Sequence, residues 1–312
     1  MTRVFVTGGS GFLGSSVVAG LVASGIPVVS GDVRMPARPL DGVTYELADV
    51  TTPAGLADLF SRHAITTVVH LASIVNPGAS TTPEQEYEVD VVGSANVFAA
   101  CIEAGVERVV VSSSGAAYGY HADNPEWLVE TDALRGNDAF PYSRHKRLVE
   151  TQLAQLRESN PELEQVVFRI GTILGPTVRN QITALWDARR ILRIAGSDSP
   201  FVFIWVDDVV GAMVQAVTGT RTGIFNVAGD GRLTVDEIAR RLGKKTVTVP
   251  AFALAAALAV GHALRLTPHG PAQVGFLRYR PVLANDRLKT EFGYVPSRTS
   301  SQAFDEYLTY RG

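Results

Sequence analysis

Short runs of β-branched and aliphatic residues recur along the first half of the chain, separated by longer stretches in which apolar residues return at three- and four-residue intervals. The short runs are "RVFVTG", "IPVVSGD", "VTYEL" and "TTVVHLAS", then "VERVVVSSS" and "LEQVVFRIG"; the longer stretches cover 12–23, 83–104 and 142–159. Apolar runs without strict alternation suit strands covered on both faces, so the pattern predicts α/β architecture: a doubly wound parallel sheet with helices on each side.

After about Gly171 the regularity loosens. "GTILGPTVRNQITALW" reads as irregular and then helical, and "PFVFIWVDDVVGAMVQAV" as strand and then helix, so the chain is expected to leave the sheet, return at about 201–230, and leave again. From Thr234 onward the pattern is mostly helical, a smaller C-terminal lobe. Within it the apolar segment 251–266 reads as a buried helix, and Ser297 or Ser300 as the cap of the last helix.

A chain of 312 residues that is 46% hydrophobic and 19% charged can bury a large core. A formal net charge of −3 supplies no basic stripe, which argues against a nucleic-acid partner. The single cysteine, Cys101, cannot form an internal disulfide, and no Cys/His cluster has zinc spacing, so no metal is expected. "MTRVFVTGG" enters an apolar strand at once, with no room for a signal peptide, and the run from Ala251 to Val260 is shorter than the roughly 20 residues that cross a bilayer. A reducing cytoplasm and no membrane partner are the resulting expectations.

The first strand runs directly into "TGGSGFLGS", with Gly8, Gly11 and Gly14 at the mouth of a helix. A strand turning abruptly into a helix N-terminus presents free amide groups and a positive dipole end, which bind a pyrophosphate without needing lysine. The second strand ends at Asp32, about 20 residues past the loop, where a carboxylate would accept hydrogen bonds from adenosine ribose hydroxyls and repel a 2′-phosphate. This favours NAD over NADP, and Arg34 could soften the preference. Asp49 and Val50 in "ADV" could supply a carboxylate and a backbone group near the adenine, although an Asp at a strand end is more often a turn residue. "HLAS" places small residues where a cofactor must pass, and His70 itself reads as hydrogen-bonded and structural.

In "AFPYSRHK", Tyr142 and Lys146 stand at i and i+4 on one helix face. A free phenol has a pKa near 10; a neighbouring ammonium and an oxidised nicotinamide favour the phenolate, and about 3 units of lowering needs roughly 4 kcal/mol. Ser114 in "VVVSSSGAAYG" ends the fifth strand at the sheet edge that carries the glycine loop, where doubly wound folds bind ligands.

Taken in order, "TGGSGFLG", Asp32, "ADV", "HLAS", "SSSGAAYG", "YSRHK", "FRIGTILGP" and "WVDDVVGA" resemble the extended short-chain dehydrogenase/reductases, the NAD-dependent epimerase/dehydratase group, over nearly the whole chain. The resemblance implies a Rossmann-type NAD-binding domain over 1–170 and a substrate lobe over 171–312. It implies that Ser114 holds the substrate oxygen, Tyr142 moves its proton, and Lys146 grips the nicotinamide ribose. It also implies cofactor contacts from Gly8, Gly11, Phe12, Leu13, Gly14, Asp32, Asp49, Val50, Leu71, Ala72, Ser73, Ser112, Tyr142, Lys146, Gly171 and Thr172. Relatives are often homodimers through two helices, here 83–104 and 142–159.

Departures from the family pattern narrow the chemistry. Dehydratases carry an Asp-Glu pair directly after the serine or threonine; here Gly115 and Ala116 stand there, which argues against dehydration. The Asn of R-x-x-N-x-x-G-P is Thr172, and the Asn of the fourth helix is Asp90, both of which weigh against a nucleoside-diphosphate substrate. Ser114, Thr172 and Arg280 are the candidate substrate residues, with Arg265, Arg278 and Arg287 as further cations and "AFALAAALAV" as core or as an apolar roof. The expected activity is NAD-dependent oxidation or reduction at a secondary alcohol or ketone carbon. A nucleotide-sugar 4-epimerase with tightly bound NAD is the alternative, and a non-catalytic NAD-sensing module a third reading.

Overall fold

The computed structural model describes residues 2–78, 80–264, 266–267 and 270–311. Its central sheet is assembled from β1 (Val4–Thr7), β2 (Val28–Asp32), β3 (Val43–Leu47), β4 (Thr67–His70), β5 (Arg108–Ser114), β6 (Glu164–Ile170) and a late strand, β10 (Gly223–Val227). The order across the sheet is β10-β6-β5-β4-β1-β2-β3, and every pairing is parallel. The order reverses between β1 and β4, the position at which doubly wound sheets open a ligand crevice.

Successive residues of each strand point to opposite faces, and both faces are covered. Val4 and Val6 join Val17, Leu21, Met213 and Ala216 beneath α1 (Phe12–Ala23) and α7 (Val206–Thr218). Phe5, between them in sequence, packs on the other side with Phe60, Val97, Phe98 and Leu153, from α2 (Leu56–Arg62), α4 (Gly93–Glu103) and α5 (Pro141–Ser159). The strands therefore lack polar alternation. The stretch 83–104 is one helical run with an interruption: α3 (Pro83–Tyr87), opened by a Thr82/Gln85 capping box, passes through one wide π-type turn at Glu88–Val92 into α4.

The remaining chain builds the C-terminal lobe. Two small parallel pairs join β7 (Thr172–Leu174) to β9 (Phe203–Trp205), and β8 (Arg190–Ile194) to β11 (Lys245–Val249). Around them lie α6 (Gln181–Ala184), α8 (Val235–Arg241), α9 (Ala251–Ala263), α10 (Gln273–Arg278) and α11 (Ser300–Tyr310). The lobe's core is aromatic: Trp186 meets Phe201, Phe203 and Phe304 edge-on at 5.9, 5.7 and 5.1 Å between ring centres.

The segment after Thr234 is mostly helical, as expected, and also contains the strand β11, paired residue for residue with β8. Two other expectations are corrected by the structure. The cap of α11 is Thr299, whose Oγ1 accepts from the Gln302 amide; Ser300 instead accepts from the Phe203 amide and donates to the Gly229 carbonyl, and the Ser297 amide donates to Asp208. The apolar helix α9 is not buried. None of its residues is, and Phe252 is 79% exposed. Apolar side chains recur around the whole circumference of α9, whereas the lobe's core around Trp186 is closed by Phe201, Phe203, Phe304 and Tyr307 without any residue of α9.

Candidate active site

The glycine loop is shaped by contacts that exclude side chains. Gly8 takes the left-handed conformation, φ +67°, and a Cβ there would lie 2.9 Å from Ala72 backbone atoms. A Cβ on Gly14 would lie 2.0 Å from the Gly8 carbonyl oxygen, so α1 can start this close to the turn only with glycine. Gly11 is the N-cap of α1; no side chain caps the helix and no acid occupies its first turn, with Phe12 and Leu13 as its first residues. The first-turn amides are thus open to an anionic ligand at the carboxyl edge of the sheet.

Asp32 is fixed beside this loop. Its carboxylate accepts from the Ser10 amide at 3.0 Å and the Arg34 amide at 3.1 Å. Across the loop, Leu71 and Ala72 donate their amides to Thr7 Oγ1 at 3.1 and 3.2 Å. Thr7 Oγ1 also bonds His70 Nδ1 at 2.8 Å, and His70 Nε2 bonds Ser94 Oγ at 2.9 Å. Burial drives the His70 pKa down to about 3; Lys146 pushes the same way and Asp90 opposes. His70 is therefore a neutral structural ring. Asp49 accepts from the Thr51 amide and hydroxyl, the turn arrangement, and buried Val50 offers its carbonyl to Asn96.

Ser114, Tyr142 and Lys146 gather at the same edge. Lys146 is buried, its Nζ donates to the Ser112 carbonyl at 2.9 Å, and it stands 5.5 Å from the centre of the Tyr142 ring. Ser114 Oγ accepts from the Ala116 amide at 3.1 Å, which starts a short 3-10 turn over Gly115–Tyr118, and no acceptor for its own hydrogen stands among the described residues. Gly171 and Thr172 follow β6, held by amide bonds to the Val227 and Val202 carbonyls. Ser73 is half-buried in the loop that follows β4.

Residues that sequence reasoning passed over hold this geometry. Fully buried Ser143 donates to the Ala116 carbonyl at 2.6 Å and accepts from the Asn137 amide at 3.1 Å, which fastens the first turn of α5 to the turn that follows Ser114. Deeper in α5, Glu150 forms a buried ion pair with Arg169 of β6 at 2.7 Å and accepts from Ser113 of β5. Arg169 continues to the Tyr118 hydroxyl, which donates to Asn226 of β10 at 2.8 Å. The one local signal was Arg169, a cation inside the otherwise apolar run of β6.

The C-terminal lobe faces the site with aromatic rings. Phe276 of α10 meets Tyr120 at 5.1 Å and Phe140 at 6.3 Å, and Phe140 is the N-cap of α5, two residues before Tyr142. Arg280 stacks 3.9 Å over Phe201, donates to the Ser199 carbonyl at 3.0 Å, and pairs with no carboxylate among the described residues. Burial pulls its pKa down to about 9, opposed by Tyr120. Arg287 is engaged by Glu291 and Arg278 stacks on Tyr279; Arg265 lies outside the described residues.

A glycine turn beneath an open helix start, an acid closing the second strand, and a tyrosine-lysine pair on the neighbouring helix define a doubly wound dinucleotide-dependent enzyme. The model of the NAD dependent epimerase/dehydratase family matches residues 4–228, and the chain belongs to that family. Within it the chain falls in the extended short-chain dehydrogenase/reductase group and uses NAD. It is 27% identical to an uncharacterized protein of Mycobacterium tuberculosis over 99% of this chain and 84% of that one. It is 28% identical to the UDP-glucose 4-epimerase of Azospirillum brasilense over 94% and 87%. The solved UDP-glucose 4-epimerase of Thermus thermophilus in complex with NAD superposes with a TM-score of 0.76, at 25% identity, over 100% of this chain and 99% of that one.

Proposed function

We propose that this chain is a net dehydrogenase or reductase acting at a carbon that bears a secondary hydroxyl or ketone, in a small or moderately apolar molecule. The observation that carries the reading is the convergence of Ser114, Tyr142 and Lys146 on the sheet edge beside the glycine loop. The chemistry supplied by bound NAD is acceptance or return of a hydride at that carbon. Gly8, Gly11 and Gly14, with Phe12 and Leu13, would hold its pyrophosphate, Asp32 its adenosine ribose, and Lys146 its nicotinamide ribose; the excluded Cβ positions fit such a guest. Asp49, Val50, Leu71, Ala72, Ser73, Ser112, Gly171 and Thr172 complete the proposed lining.

Ser114 would orient the substrate oxygen and the Tyr142 phenol would move its proton, with Lys146 favouring the phenolate. Gly115 and Ala116 supply no second acid or base for dehydration. Tyr120, Phe140 and Phe276 would form an apolar wall on the substrate side, with residues 171–312, apart from the return at 201–230, as the substrate lobe. Two copies packed through 83–104 and 142–159, in a reducing cytoplasm, complete the reading. No helix among the described residues is long and apolar enough to cross a membrane.

A second reading, a nucleotide-sugar 4-epimerase, draws on the UDP-glucose 4-epimerases among the relatives and on Arg280, a half-buried cation with no carboxylate partner among the described residues. One assay separates the two. Incubated with NAD and a panel of secondary alcohols, a dehydrogenase accumulates the absorbance of reduced cofactor. Interconversion of UDP-glucose and UDP-galactose without net reduction would select the epimerase instead.

A further inference from the structure

The wide turn between α3 and α4 directs Asp90 into the interior, behind the proposed proton-transfer pair. Asp90 and His145 are both nearly inaccessible, and the Asp90 carboxylate lies 3.0 Å from His145 Nδ1 while accepting from the Ile74 amide at 2.8 Å. One carboxylate thus joins three elements: the turn before α4, the loop after β4 that passes the glycine turn, and α5. On α5, His145 directly precedes Lys146, and the Tyr87 ring packs edge-on against it at 5.6 Å.

Lys146 is buried and donates to a single carbonyl, that of Ser112, among the described residues. A buried ammonium loses its proton readily unless a counter-charge stands near. Of the carboxylates around α5, Glu150 is committed to Arg169 and Ser113. Glu86 on α3 is pushed toward its neutral form by burial, with Asp90 adding to that and His145 opposing. Asp90 behaves oppositely: burial would raise its carboxyl, but the His145 bond, the Lys146 charge and the Ile74 amide together hold it below the usual range. His70 on β4 also faces the group, as a neutral ring.

We infer that Asp90 is a positioning residue for the reaction proposed above, its carboxylate clamped by His145 and the Ile74 amide so that it balances the Lys146 ammonium behind Tyr142. The inference rests on the reading of Tyr142 and Lys146 as the proton-transfer pair. An asparagine would satisfy the Ile74 amide and the imidazole equally well, so what the aspartate adds is charge.

Asp90→Asn tests this directly. Loss of a fixed negative charge lowers the proton affinity of every neighbour, so both limbs of the kcat/KM profile against pH move to lower pH by about half a unit or more. In cofactor-free protein labelled with [13Cζ]tyrosine, the Tyr142 resonance, assigned by its loss in Tyr142→Phe, shifts its titration midpoint the same way. His145→Gln removes the ring and leaves the carboxylate; its limbs stay in place or move up while the rate falls. A drop in rate with unmoved limbs in Asp90→Asn would overturn the role, as would limbs that descend alike in both variants. Should Asp90→Asn not fold, Asp90→Ser, with room for a water, carries the same measurement. Turnover surviving in Tyr142→Phe would sink the functional reading itself, whereas an inactive Tyr142→Phe beside unmoved Asp90→Asn limbs would remove only Asp90.

Discussion

Helices α5 and α9 are both opened by proline, and their burial is the reverse of what their composition suggests. α5 is rich in charge, yet it buries Ser143, His145, Lys146 and Glu150 alongside Val149 and Leu153. α9 has no Asp, Glu, Lys or Arg among its thirteen residues and buries none of them fully. The difference lies in partners. Ser143, His145, Lys146 and Glu150 each meet a complement: the Ala116 carbonyl, Asp90, the Ser112 carbonyl, and Arg169 with Ser113. α9 offers apolar surface in every direction, with no polar pattern to fix one face inward, and none of its residues joins the lobe's aromatic core. Apolar content measures what a helix could gain from burial, while periodic complementarity decides whether it is buried.

The contrast can be broken or sharpened by substitution, beginning with the largest effect. Tyr142→Phe removes one oxygen from the α5 face and should cost up to about 10⁴ in turnover, with NAD affinity nearly unchanged. Steady-state rates and a cofactor titration check it, and a variant that keeps its rate would strip α5 of its assigned chemistry. Glu150→Ala leaves Arg169 buried without its partner and should lower stability by about 3–5 kcal/mol in denaturant melts. If the loss were only a few tenths, the ion pair would not be what seats α5 on β5 and β6.

Behind the same helix, His70 makes stability depend on pH. An unfolded chain protonates this ring near 6.5, whereas the folded protein resists until about 3, so the unfolded state binds more protons between those values and stability falls as acid is added. The loss should be about 1.6 kcal/mol between pH 6.5 and 5, and it should be absent from His70→Gln when melts are repeated across that range. At the other end of the scale, Phe252→Ser on α9 should change the melting free energy by less than about 0.5 kcal/mol, because nothing is uncovered. A large loss would mean that α9 is held to the protein more firmly than its exposure indicates.

These two helices also mark how far the sequence could be read. The central strands and α1 were legible because a residue covered on both faces leaves its mark locally: Val4, Phe5 and Val6 are apolar in succession since Val4 and Val6 face one helical layer and Phe5 the other. The glycine loop was legible for a related reason, as Gly8 and Gly14 answer to backbone atoms a few residues away or on the adjoining strand. What eluded the reading depends on distant parts of the chain. β8 and β11 are short, mixed in polarity, and strands only because they pair with each other. Ser143 and Glu150 look like ordinary helix residues until the turn after β5 and the strand that carries Arg169 are brought alongside. Neither the carboxylate at position 90 nor the ring at 145 announces its partner across half the fold.

One feature of the sheet reaches into how the protein is made. β6 is complete at Ile170, but the strand that covers its outer edge begins only at Gly223. A nascent chain emerging from the ribosome therefore carries a bare ladder of amides and carbonyls until the segment ending at Val227 has cleared the exit tunnel. A fragment cut at residue 170 would keep that ladder for good, an invitation to pair with other chains. The amino-terminal portion carries the glycine loop and the tyrosine-lysine pair, yet cut at residue 170 it would leave β6 with an open edge.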